Sequence, residues 1–104
     1  MKKIYNKLVR DKIPQIIEAS GKQCVTTRLS REEYLQALDE KLNEELAEYQ
    51  QSKSLEELAD LLEVMGAVVK ARGASWEEVT TIQKRKCADR GGFEERLFLK
   101  EVTE

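Results

Sequence analysis

The stretch NEELAEYQQSKSLEELAD, Asn43 to Asp60, decides the fold. Two acid-rich runs with helically spaced leucines flank a few polar residues, and the second opens with Ser54-x-x-Glu57, the pattern of a capping box. Upstream, Ser30-x-x-Glu33 opens the first run, whose stripe of Leu35, Leu38, Leu42, Leu46 and Tyr49 predicts a helix from Arg31 to Gln51. Downstream, Leu55 to Arg72 reads as a second helix stopped by Gly73. Ser75-x-x-Glu78 opens a third, from Trp76 to near Arg90, ended by Gly91-Gly92. A shorter helix starts at Pro14, a favoured first-turn residue, and ends before Gly21. Cys24–Leu29 and Arg96–Val102 alternate partially and are candidates to pair as a short β ribbon. The expected class is all-α: an antiparallel helical hairpin plus additional helices.

At 104 residues the chain is expected to form one domain, residues 1–104. No apolar run approaches the roughly 18 residues of a membrane span, and charges interrupt Ile4, Leu8, Val9 and Ile13, so neither a membrane protein nor a signal peptide is expected. Cys24 and Cys87 have no metal-ligand spacing and no disulfide framework, which fits reduced thiols and a cytoplasmic location. The net charge of −2 hides a segregation. Lys2, Lys3, Lys7, Arg10 and Lys12 outweigh Asp11 in residues 1–14, giving +4. Residues 39–63 carry nine acids against Lys41 and Lys53, giving −7, and residues 84–90 (KRKCADR) return to +3. Charge runs are usually solvated faces, but an acidic centre with basic flanks also suits a metal-bound polyanion.

Helical geometry places the acids. At about 100° per residue, with Leu42 as the origin, Glu45 lies about 60° and Glu48 about 120° from the stripe, whereas Glu44 falls near 160°, on the back. On the second helix, with Leu58 as the origin, Glu57 sits near −100°, between Val64 and Val68, and Asp60 near −160°, beside Ala67 and Ala71. A solvated face does not explain either position. A connection of roughly four residues, Gln50 to Lys53, forces the helices antiparallel. Residue numbers at equal height then have a constant sum, a condition met by Glu48 with Glu57 and by Glu45 with Asp60. Two acidic pairs are expected to converge.

Two like charges about 4 Å apart repel by about 4 kcal/mol at an effective dielectric of 20, and a small domain has only about 5–15 kcal/mol of stability. The four carboxylates must therefore splay apart, hold protons or hold a cation. All-oxygen ligands in a chain without histidine favour Mg²⁺ or Mn²⁺ over zinc or iron. Magnesium usually takes only one or two protein carboxylates, so four suggest more than one ion. The competing reading of Glu57 is a plain capping residue.

Glu44-Glu45-x-x-Glu48 followed by Glu57-x-x-Asp60 resembles the EExxE…ExxD motif of the MazG-like, all-α NTP pyrophosphohydrolase superfamily, which also includes dimeric dUTPases and phosphoribosyl-ATP pyrophosphohydrolases. YNKLVRDKIPQII (Tyr5 to Ile17) and KCADRGGF (Lys86 to Phe93) are similar to a small house-cleaning branch of it. The resemblance runs from about residue 4 to 99. It implies that Glu45, Glu48, Glu57 and Asp60 are magnesium ligands, and that Glu44 acts around them or helps the attacking water. It also implies that Lys86 and Arg90 meet phosphates, and that Lys7 and Arg10 contact phosphate or sugar. The implied reaction is Mg²⁺-dependent hydrolysis of a nucleoside triphosphate at the α–β bond, releasing monophosphate and pyrophosphate, with Glu48 or Glu44 orienting or deprotonating water.

The second helix is apolar around more of its circumference than one antiparallel partner covers. A homodimer with a four-helix core, or a higher homo-oligomer, is expected, as the family also suggests. Two other classes compete. A non-catalytic helical dimerisation or interaction module would use the acids only as caps and surface. A nucleic-acid binder would use the basic ends, against which stand the pI of 5.4 and the acidic centre.

Overall fold

Serine side chains start three of the four helices in the computed structural model, which describes residues 2–104. The order is α1 (Ile13–Ala19), α2 (Arg31–Ser52), α3 (Leu55–Ala71) and α4 (Trp76–Arg90). Ser30 and Ser75 form complete capping boxes: each Oγ accepts the N–H three residues on, and Glu33 and Glu78 accept the serine N–H in return. Ser54 makes half of one. Its Oγ accepts from the Glu57 N–H at 3.3 Å, but its own N–H donates to Ser52 Oγ rather than to Glu57.

α3 ends as the glycine requires. Gly73 takes φ +79°, its N–H donates to Lys70 O, and the Ala74 N–H donates to Val69 O. These two bonds satisfy carbonyls that a helix end otherwise leaves without partners.

α2 runs to Ser52, so only Lys53 and Ser54 join it to α3, a shorter connection than the expected Gln50 to Lys53. Lys53 adopts a left-handed conformation (φ 59°, ψ 22°) that is unfavourable for a residue with a Cβ. Its N–H bonds to Tyr49 O, and its ammonium sits 5.5 Å from the centre of the Tyr49 ring. The helices run antiparallel: Arg31, at the start of α2, donates to the carbonyl of Ala71, at the end of α3. Their seam centres on Leu38 and Val64, the buried apolar residues among those described.

Val64 lies about 120° around α3 from Leu58, so the face turned to α2 is the one carrying Glu57 and Asp60. A second apolar stripe, Leu55, Leu58, Leu62 and Met65, points the other way and is 40–81% exposed. The chain exposes 10050 Å², against about 6,000 Å² for a compact monomer of this mass.

The anticipated β ribbon does not form. Among the described residues there is no strand, and neither Cys24–Leu29 nor Arg96–Val102 adopts regular structure. Val25 is fully exposed, and Leu97, Phe98 and Leu99 are all at least 79% exposed, so neither segment has a buried face to reward pairing. An isolated two-stranded ribbon is marginal in water without one. Among the described residues, no helix is long and apolar enough to cross a membrane.

The left-handed stop sets a stability test. Gly73→Ala is expected to lower the unfolding free energy by about 1–2 kcal/mol in urea titration, because a Cβ at this φ is strained; an unchanged midpoint would contradict that account.

Candidate metal centre

The α2–α3 seam puts three carboxylates together. Glu45 from α2 and Glu57 and Asp60 from α3 each offer an oxygen within 4.8 Å of the others. Glu45 is only 6% exposed. One oxygen of Glu45 and one of Glu57, Oε2 in each, are buried without a hydrogen-bond partner. A buried acceptor left unpaired costs about 1–3 kcal/mol, and more when charged. The half-formed cap of α3 now has a cause: the Glu57 carboxylate that would complete it lies in the cluster instead. Glu57 is thus not explained as a capping residue alone.

Side-chain cations meet part of the charge. Lys41 Nζ lies 3.2 Å from Glu44 and 3.5 Å from Glu45, one helical turn earlier on α2. Lys7 Nζ reaches the other oxygen of Glu44 at 3.2 Å, and Arg10 Nη2 reaches Asp60 at 2.8 Å. Among the described residues no such cation meets Glu57. Burial pushes the Glu45 carboxyl above its ordinary pKa, and the adjoining Glu48 carboxyl adds to the rise, with Lys41 working against both. Burial also acts to raise Glu44, but hydrogen bonds and attraction from Lys7 and Lys41 outweigh it and hold the group below its usual value.

The expected quartet is therefore a trio with Glu48 at its rim. Glu48 is exposed and stands beside Glu45. About 60° further around α2 than Glu45, it has turned out of the seam. Glu44 lies outside the trio but is tied to it through Lys41. Lys7 and Arg10, from the basic N-terminal segment, both come to the acids. Lys86 and Arg90 are exposed on α4, which packs on α3 but not on α2. Among the described residues neither makes an ion pair. Lys41 is the residue that sequence reasoning missed as a site member. Its i, i+3 and i, i+4 spacing to Glu44 and Glu45 was the available signal.

Beside the trio the N-terminal segment and the hairpin border an open cleft of ≈ 400 Å³. Leu8, Val9, Tyr34, Leu38, Val64 and Ala67 supply apolar and aromatic walls, while Arg10, Asp11, Lys12, Lys41 and Glu63 supply charge. Arg10 and Lys41 belong to both features, so cleft and carboxylates adjoin.

The donor set suits a hard divalent cation: only carboxylate oxygens, two of them buried and unpaired, and no sulfur or imidazole.

Among known proteins, the chain is 58% identical over 41 residues to an uncharacterized protein of Mycolicibacterium smegmatis (strain ATCC 700084 / mc(2)155). The match covers 39% of this chain and 42% of that protein, so it spans less than half of either. No family model matches the chain. No solved structure matches it.

The unpaired oxygens give a stability prediction of unusual sign. Glu45→Gln removes a buried charge and is expected to raise the unfolding free energy of the metal-free protein by about 1 kcal/mol, while reducing any stabilisation by Mg²⁺. Thermal melts with and without Mg²⁺ check both halves; a destabilised variant that still responds fully to Mg²⁺ would contradict the assignment.

Proposed function

We propose that this chain is a MazG-like pyrophosphohydrolase that converts a nucleoside triphosphate to the monophosphate and pyrophosphate with Mg²⁺, for which Mn²⁺ can substitute. The observation that carries the reading is the pair of buried, unpartnered carboxylate oxygens on Glu45 and Glu57, beside Asp60. These residues stand at the EExxE…ExxD spacing. A hard divalent cation held there supplies Lewis-acid activation of water and neutralises charge on phosphate oxygens.

The remaining roles follow from position. Glu45, Glu57 and Asp60 hold the cation. Glu48, exposed beside Glu45, either completes the ligand set or takes the proton from the attacking water. Glu44 holds Lys7 and Lys41 at the rim, presenting two ammonium groups toward an incoming anion. The cleft takes the nucleoside, with Tyr34 offering a ring face. Lys86 and Arg90, at i, i+4 on α4, are available to the departing pyrophosphate. House-cleaning of non-canonical nucleotides is the physiological role that the motif resemblance supports.

In this reading two copies bury the outer stripe of α3, forming a four-helix core. Leu55, Leu58, Leu62 and Met65 support it, as does the surface in excess of a compact monomer. The same stripe also suits a non-catalytic dimerisation module, which differs in predicting no Mg²⁺ effect on melting.

Purified protein with Mg²⁺ and a panel of canonical and modified triphosphates is expected to release pyrophosphate, with Glu48→Gln slowing turnover by about 10²-fold or more. Release of orthophosphate would overturn the cleavage site. Light scattering is expected to give twice the chain mass; a monomer mass independent of concentration would exclude the dimer.

A further inference from the structure

We propose that Arg10 is an exchangeable counter-ion. It is paired with Asp60 while no divalent cation is bound and is surrendered to a phosphate when the cation takes Asp60. This rests on the metal-site reading above and adds to it a coupling between cation binding and the N-terminal segment.

Charge within the trio is met unevenly. Glu45 is served by Lys41, which shares its helix one turn away and is itself largely buried, so that pair has little freedom to separate. Among the described residues Glu57 has no cation partner. Asp60 alone is served from outside the hairpin, by Arg10 at 2.8 Å. Arg10 belongs to residues 2–12, which form neither helix nor strand. Two ion pairs fasten that segment to site carboxylates, Lys7 to Glu44 and Arg10 to Asp60, with Leu8 half-buried between them.

The strength of the Arg10 pair suits exchange. Its partners are 57% and 42% exposed, and an ion pair so placed shifts an equilibrium by only about one- to fivefold. A divalent cation drawn to three carboxylates competes on favourable terms. The guanidinium it displaces is a planar fork suited to phosphate oxygens, and it is already at the wall of the adjoining cleft. The competition is reciprocal: if the cation loosens Arg10, then losing Arg10 must tighten the cation. Occupation of the centre thus unfastens the segment, and an arriving anion refastens it through the same side chain.

The test uses the full chain and Mn²⁺ alone, without nucleotide. Isothermal titration is expected to show Arg10→Gln binding Mn²⁺ about two- to fivefold more tightly than the wild type. Lys3→Gln removes an equal charge from the same segment, outside the cleft lining and without touching Asp60, and is expected to leave affinity unchanged. Hydrogen exchange over residues 4–12 is expected to accelerate when Mn²⁺ is added to the wild type, to be fast already in Arg10→Gln, and to slow again with Mn²⁺ and pyrophosphate only where Arg10 is present. Mn²⁺ bound equally by wild type and Arg10→Gln, with exchange unmoved, would overturn the inference and leave the metal site standing. An equal gain in Lys3→Gln would overturn it as well, since a general field effect would then suffice. No Mn²⁺ binding by any of the three proteins would remove both the inference and the function it rests on.

Discussion

Three carboxylates forced together along a helix seam are the constraint from which the rest of this structure follows. Glu45, Glu57 and Asp60 are not all in water where their repulsion would be screened; Glu57 and Asp60 are partly exposed, but Glu45 is as buried as the apolar residues beside it. The protein moderates the repulsion in several ways. Lys41 shields Glu45 from one side, burial and the nearby Glu48 favour a proton on it, and Arg10 reaches across from the N-terminal segment to Asp60. Two oxygens still lack partners. A seam designed for stability alone would place aliphatic groups here, since apolar replacement of buried charges is often neutral or stabilising.

The cost of that arrangement is visible elsewhere in the fold. A seam with Leu38 and Val64 as its buried apolar members is a small core for a chain of this length. α3 compensates in composition, carrying one stripe toward α2 and another outward, and the outward one is unsatisfied within a single copy. Both deficits, of charge inside the seam and of apolar cover outside it, point to binding partners: in our proposal, a divalent cation for the first and a second copy of the chain for the second. Each would stabilise the folded state by mass action.

Much of this was legible in the sequence because the strongest signals were local. Serine caps, the 3.6-residue stripe of α2 and Gly73 after α3 define helix limits that depend on neighbouring residues only, and each lies within about two residues of its expected position. The convergence of Glu45 with Asp60 was also readable, because a short connection fixes the relative height of two helices. What escaped was set by orientation and by contact at a distance. The outward turn of Glu48 depends on how α2 rotates against α3. The partners of Lys7 and Arg10 lie 37 and 50 residues away. The alternation of Cys24–Leu29 and Arg96–Val102 offers neither segment a burial partner, and alternation alone does not create one. Lys41 is more than bulk charge: its i, i+3 and i, i+4 spacing places it against Glu44 and Glu45.

The most direct measurement is a crystal grown or soaked with Mn²⁺ and read by anomalous scattering. The account predicts a peak at about 2.0–2.5 Å from oxygens of Glu45, Glu57 and Asp60, the range of bonds between hard cations and oxygen. A map with no peak there at saturating Mn²⁺, with the three carboxylates served only by lysine, arginine or water, would contradict it.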